Sequence, residues 1–252
     1  MVLQITFLGC FLCLVANMAA AQASATSRDV NNIVQGMMTA QQENKARIRP
    51  VTIKRDYRLL DKQDVAKAQM VANITLLPPD DQQNQSQQYQ IESSSGGMGE
   101  KVLRDILSKE TESAKDAQKR DISPDNYEFT LLGEETLNGR RCYLLGMNPK
   151  RDAKDLMRGK VWVDAENYNI HRIEGSPVKN PSWWIHDLYI LMSFAEVDGM
   201  WMRTFTHAVA NVRFKGKYSM DSRDVEYRPI VQTASRSHHR NSGILAGAAI
   251  RP

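Results

Sequence analysis

From residue 51 to 76, and again from 127 to 227, apolar side chains return at every second position. Short turn signals separate these runs. A period of two puts alternate side chains on opposite faces of a pleated strand, so each run must bury one face against something. In 51–60, Val51, Ile53, Tyr57 and Leu59 alternate with Thr52, Lys54, Asp56 and Arg58. Met70, Ala72, Ile74 and Leu76 form the next such face, closed by Pro78 and Pro79. Asn138-Gly139 and Asp198-Gly199 sit between strand runs, where both central residues of a tight hairpin need positive φ. The stretch around Lys215-Gly216 is a third, looser turn. Hairpins in series at this spacing predict an antiparallel meander of about ten strands, with no βαβ alternation.

Two helices are expected beside the sheet. From Asp29 onward, Val30, Ile33, Val34, Met37 and Met38 fall on one stripe of a 3.6-residue period. After a flexible Ser/Gly loop over 93–99, a second helix over 100–119 carries Val102, Leu103, Ile106 and Leu107. Its stripe is only one to two turns long, which predicts a lightly anchored, movable helix. The glycines before it match neither a phosphate-binding loop nor a dinucleotide fingerprint. The Gln/Asn-rich run 80–90 reads as a solvated hairpin loop. Residues 148–159 read as a charged, helix-tolerant insertion.

One hairpin shows how the sheet is filled. In "GKVWVDAENYNIHRIEG", residues 159–175, Val161 and Val163 share a face, opposite Lys160, Trp162 and Asp164; Ile170 and Ile173 follow on the return strand. Further along, Leu188, Ile190, Met192 and Phe194 share one face. Ala208, Ala210, Val212 and Phe214 share one on the next strand. A two-residue turn at Asp198-Gly199 would pair Met192 with Phe205 and separate these faces. A three-residue turn with a bulge at Gly199 would pair Ile190 with Ala208 and keep them together. The second is expected, because a one-residue slip moves every side chain to the other face. Large residues opposite small ones leave either a hollow or an interlocked core, and the sequence permits both.

The first residues stand outside this pattern. Residues 5–16 are an apolar run of signal-peptide length, and Ala21-Gln22-Ala23 has the small-x-small form of a cleavage site. The expectation is a signal peptide over 1–23 and an exported protein that is soluble after cleavage. Asn17 interrupts the run short of the roughly 20 apolar residues that span a bilayer. Cys10 and Cys13 would leave with it, and Cys142 alone allows no internal disulfide. Phe-Leu-Gly-Cys at Cys10 has the outline of a lipoprotein box but would leave only nine residues ahead of it. Past Ile230 all period is lost, so 231–252 is expected to be a disordered tail, and 24–230 one domain.

No motif supplies chemistry. The five histidines, His171, His186, His207, His238 and His239, show no metal-ligand spacing on one element of the body, and no nucleophile elbow is present. Cys142 lies in an apolar run and reads as a small hydrophobe. Asp164 and Glu166 lie in a turn, where such residues serve the backbone. Neither a catalytic residue, a metal nor a cofactor is expected. A net charge of +4 on scattered basic residues argues against a nucleic-acid binder.

The leading helix, the meander, the interrupting helix, "GKVWVDAENYNIHRIEG" and "FAEVDGMWM" together resemble the bacterial outer-membrane lipoprotein-sorting, or lipoprotein-carrier-like (LolA/LolB-like), family. The resemblance covers 29–230. It implies a mostly β, α+β fold: a curved antiparallel meander forming an unclosed half-barrel under two covering helices. It implies a monomeric, non-enzymatic periplasmic carrier that holds a lipid, or the acyl chains of a lipoprotein, between sheet and helices. Membrane-bound donor and acceptor proteins would be its partners. On this resemblance Val161, Val163, Ile173, Leu188, Ile190, Met192 and Phe194 would line the cavity. Val30, Ile33, Val34, Met37, Val102, Leu103, Ile106 and Leu107 would face it from the helices. Two other readings stand beside it: an extracytoplasmic sensor that shares the fold, and a secreted hydrolase with a site assembled from distant residues.

Overall fold

A computed structural model describes residues 29–78, 87–114, 117–180 and 182–230. The expected signal peptide, the expected tail and part of the Gln-rich run lie outside the described residues. Ten strands form a single antiparallel sheet: β1 (Val51–Asp61), β2 (Ala66–Leu76), β3 (Gln87–Ser94), β4 (Tyr127–Leu137), β5 (Arg140–Pro149), β6 (Met157–Asp164), β7 (Ile170–Pro177), β8 (Ile185–Val197), β9 (Met200–Val212) and β10 (Gly216–Pro229). Helix α1 covers residues 29–47 and α2 covers Gly97–Ala114, with a 3-10 turn at Ala117–Arg120. The spatial order is β3-β2-β1-β10-β9-β8-β7-β6-β5-β4. The sheet is open, with β3 and β4 at its two edges.

This order explains why α2 crosses the sheet. β3 and β4 are consecutive in sequence but nine strand spacings apart, about 43 Å at ~4.8 Å each. The connection must therefore run across one face, and α2, about 27 Å long at 1.5 Å per residue, makes up most of it. Paired residues share a face, so one row can be followed through the whole sheet. Leu131, Leu145, Val161, Ile173, Met192, Thr206, Ser222, Tyr57, Met70 and Ser94 are successive partners. This is the inner face, the one the helices cover.

Two separate cores lie on that face. Ile33, Val34 and Met37 of α1 pack on Leu145, Met147, Val161, Val163, Ile170 and Ile173. Leu103 and Leu107 of α2 pack on Ile53, Tyr57, Met70, Ile74 and Met220. Between them, most of the inner-face residues of β8 and β9 are packed in neither core and stay half-buried. Asn44 ties the end of α1 to β9 by a reciprocal pair. Its Nδ2 donates to the Trp201 carbonyl at 2.7 Å and its Oδ1 accepts the Trp201 N–H at 2.6 Å.

Glycine sets one close approach within the sheet. Gly159 of β6 lies directly opposite Gly175 of β7. A Cβ built on Gly159 would stand 1.9 Å from the Glu174 carbonyl oxygen and 2.6 Å from Gly175 Cα. The stretch from Gly159 to Gly175 thus begins and ends on a pair of residues where no side chain fits.

Several expectations need correction. The Gln-rich run is not all loop, since its residues 87–90 begin β3. Both faces of that edge strand are largely polar, so it carries no apolar alternation. The Ser/Gly segment is shorter than expected: Ser93 and Ser94 belong to β3, and α2 begins at Gly97. The helix ends at Ala114 rather than near 119. Gly99 is a packing residue rather than a hinge, because a Cβ there would meet Ala68 Cβ at 2.7 Å. Residues 148–159 hold no helix; they finish β5, turn, and start β6, and Leu156 is buried under α1.

The β8–β9 hairpin combines both expectations for its register. Its turn has two residues, with Asp198 and Gly199 at φ 49 and 77 and Val197 opposite Met200. The bulge lies four residues past Met200 rather than at Gly199. Phe194 faces Arg203 and Ser193 faces Phe205, so Thr204 is the extra residue. Beyond it Ile190 pairs with Ala208 and Met192 with Thr206, which restores the large-on-small arrangement on one face.

Candidate functional site

At the seam between the two cores lies a hollow of about 630 Å³. Leu188, Ile190 and Met192 of β8 form one wall, and Ala208, Ala210 and Val212 of β9 the floor beside it. Val102 and Ile106 of α2 form the roof. The alternative left open by the sequence, hollow or interlocked core, resolves as a hollow here. Alanines at 208 and 210 are too short to fill the space that the larger β8 residues frame. From Thr206 to Val212 the floor runs about 20 Å at ~3.4 Å per residue. The volume falls in the range of small-molecule pockets, roughly 300–1,000 Å³.

The residues named from sequence divide into three groups. Leu188, Ile190, Met192, Val102 and Ile106 line the hollow. Val161, Val163 and Ile173 are buried in the packed core under α1, together with Ile33, Val34 and Met37. Val30 and Phe194 pack against that core from its margin. Leu103 and Leu107 are fully buried between α2 and the sheet. The stripe of α2 thus has two rows, one in the core and one over the hollow.

Sequence reasoning missed a buried ionic cluster at the hollow's inner end. Glu110 of α2 reaches down to the sheet. One carboxylate oxygen accepts from the Tyr57 hydroxyl at 2.9 Å and from Arg55 at 3.3 Å, and the other accepts from Arg203 at 3.2 Å. Arg55 also donates through two nitrogens to Asp224, whose second oxygen accepts from the Tyr227 hydroxyl at 3.1 Å. Burial works to raise the Glu110 pKa, but Arg203 and Arg55 outweigh it and hold the carboxyl below its ordinary range. Burial raises the Tyr57 hydroxyl further, with Glu110 acting in the same direction, so it stays a donor. These groups satisfy one another. They clamp α2 to the sheet, so the helix is held by more than its short apolar stripe. The available signal was Arg55 itself, a charge at an inward position between Ile53 and Tyr57.

Thr206 Oγ1, on the hollow's floor, is buried without a hydrogen-bond partner among the described residues, whereas Asp164 is fully engaged. Asp164 is almost fully buried and accepts the N–H groups of Glu166 and Asn167 at 2.8 and 3.1 Å, which closes the β6–β7 turn. It also meets Arg140 and, at 3.0 Å, His171 Nε2. Burial opposes its ionisation, yet Arg140 and these N–H donors hold its pKa at about 2. Cys142 is buried with Leu144 and Trp162 on the outer face, and burial pushes its thiol up. Among the described residues no group of three or more His, Cys, Asp or Glu is placed to hold a metal ion. No described helix is long and apolar enough to cross a membrane.

A family model described as "Uncharacterized protein" matches residues 107–232, half of the chain. No curated protein matches the sequence. Three solved structures are similar in arrangement. A DUF1329 family protein from Desulfovibrio piger is 12% identical, over 81% of this chain and 94% of that one, with a TM-score of 0.44. A putative outer membrane lipoprotein-sorting protein domain from Vibrio parahaemolyticus is 15% identical, over 79% and 93%, with a TM-score of 0.40. A LolA superfamily protein from Nitrosomonas europaea is 10% identical, over 80% and 94%, with a TM-score of 0.38.

Proposed function

The chain belongs to the family matched over residues 107–232, and we propose that it is a non-enzymatic carrier that holds a lipid, or the acyl chains of a lipoprotein, in the hollow between α2 and the sheet. The observation that carries this reading is the hollow itself. Most of its wall is apolar side chains from β8, β9 and α2, with Lys109, Arg120 and Asp155 also on the lining, and the Ala208 and Ala210 floor leaves room for a chain. An acyl chain gains about 0.8 kcal/mol for each CH₂ taken out of water, so an apolar groove of this length needs no reactive group to bind one. The charged residues at its inner end are engaged with one another and hold the helix in place. Transport for outer-membrane lipoprotein sorting, in the periplasm and as a monomer, is the setting that this reading and the leading apolar segment together suggest. Membrane-bound donor and acceptor proteins would load and unload it.

Native mass spectrometry of gently purified protein tests the reading. Adducts of lipid mass are expected, and they should disappear after extraction with organic solvent. A protein that leaves the cell envelope without adducts, and takes up none from added phospholipid or fatty acid, would remove the carrier reading.

A further inference from the structure

Where the hollow opens, at the ends of β8 and β9, the surface becomes aromatic and basic. Trp184, Ile185 and Val212 line the hollow at this end. Directly beside them, Trp183 is 71% exposed and Phe214 is 95% exposed. The Arg213 guanidinium lies over both rings, 5.5 Å from the Trp183 centroid and 5.8 Å from that of Phe214. The Arg213 N–H donates to the Trp184 carbonyl at 2.9 Å, which fixes the two loops to each other. Lys215 and Lys217 are exposed on the same turn. Among the described residues Arg213, Lys215 and Lys217 have no carboxylate partner.

The backbone adds a separate observation. Phe214 sits at φ 65, the left-handed region. Bulky side chains are outliers there, whereas asparagine and glycine are tolerated. The β9–β10 turn therefore holds an unfavourable conformation and gains no burial for its aromatic ring. A strained position that presents a large apolar group to solvent points to a contact made outside the molecule.

We infer that this rim is a docking surface for an anionic lipid bilayer. Trp and Phe rings suit the boundary between headgroups and acyl chains, and Arg and Lys beside them are drawn to a negatively charged surface. Three unpaired cations around two exposed rings fit such a surface better than an uncharged one. The rim is continuous with the mouth of the hollow, so docking would bring that mouth onto the membrane. The inference rests on the carrier reading for its purpose but not for its test.

The test is co-sedimentation with vesicles of phosphatidylglycerol and phosphatidylcholine, compared with phosphatidylcholine alone. The wild-type protein should sediment with the anionic vesicles, and high salt should release it. The double variant Trp183→Ala, Phe214→Asn should lower partitioning by about tenfold. It should melt no lower than wild type, since both side chains are exposed and asparagine accepts the backbone of position 214. Its lipid adducts in native mass spectrometry should persist, so loss of docking and loss of the hollow's cargo give different results. Absence of wild-type binding to anionic vesicles, or equal binding by the double variant, would overturn the inference. So would sedimentation velocity showing a wild-type dimer that the double variant dissolves, since the rim would then join two copies of the chain.

Discussion

Gly159→Ala is expected to destabilise the protein by about 3 kcal/mol or more, and to leave little of it folded in the cell. The added methyl would meet the Glu174 carbonyl oxygen at 1.9 Å and Gly175 Cα at 2.6 Å. Both are backbone atoms in the middle of a ten-stranded sheet, so neither can rotate away. The strands β6 and β7 would have to part, and with them the floor of the core under α1. Gly146→Ala is the matched control on the adjacent strand. Its new methyl would find its nearest neighbours in the Leu132 side chain, at 3.6 Å, an ordinary contact. Urea midpoints of the two variants against wild type measure the difference. Equal midpoints would mean that the Gly159–Gly175 approach is looser than described.

Asp224→Asn is expected to cost about 3 kcal/mol, close to what breaking a buried ion pair costs elsewhere. The Asp224 side chain is fully buried and receives two N–H groups of Arg55. Without its charge, Arg55 would keep only Glu110, at 3.3 Å, as a counter-ion. That contact also anchors α2, so the loss should spread to the roof of the hollow. Amide exchange in α2 should then rise more than exchange in β5 and β6, which lie in the other core. Exchange rising evenly across both cores, or a midpoint within about 0.5 kcal/mol of wild type, would show that the cluster does not hold the helix.

Much of this arrangement can be read from the sequence, and the exceptions have physical causes. Val161, Val163 and Ile173 announce an inner face because period two allows nothing else for a half-buried strand. Asn138-Gly139 announces its turn because both residues must take positive φ, and they do, at 52 and 80. Arg55 gives no such announcement. A charge on an apolar row is explained only by Asp224, 169 residues away, and by Glu110 on a helix. The bulge at Thr204 is similarly silent, since no glycine marks it. β3 is hidden because an edge strand rich in glutamine buries almost nothing and so shows no alternation. Gly99 misleads for a related reason. In sequence a glycine before a helix signals freedom, but here it lets α2 approach Ala68 closely. For the hollow, sequence supplied the large and small residues, and only the register decided that they would face one space.

Occupancy of that space is the central claim, and Ala210→Trp addresses it most directly. Ala210 lies on the hollow's floor, so an indole there would fill room that the wild-type protein leaves for cargo. The measurement is titration of delipidated protein with an environment-sensitive fluorescent fatty acid, alongside thermal melts of both proteins. The wild type should bind the probe. The variant should bind at least about tenfold more weakly, a loss of roughly 1.4 kcal/mol, and should melt at the same temperature or higher. Equal binding by Ala210→Trp, or no binding by the wild type, would contradict a lipid held between α2 and the sheet.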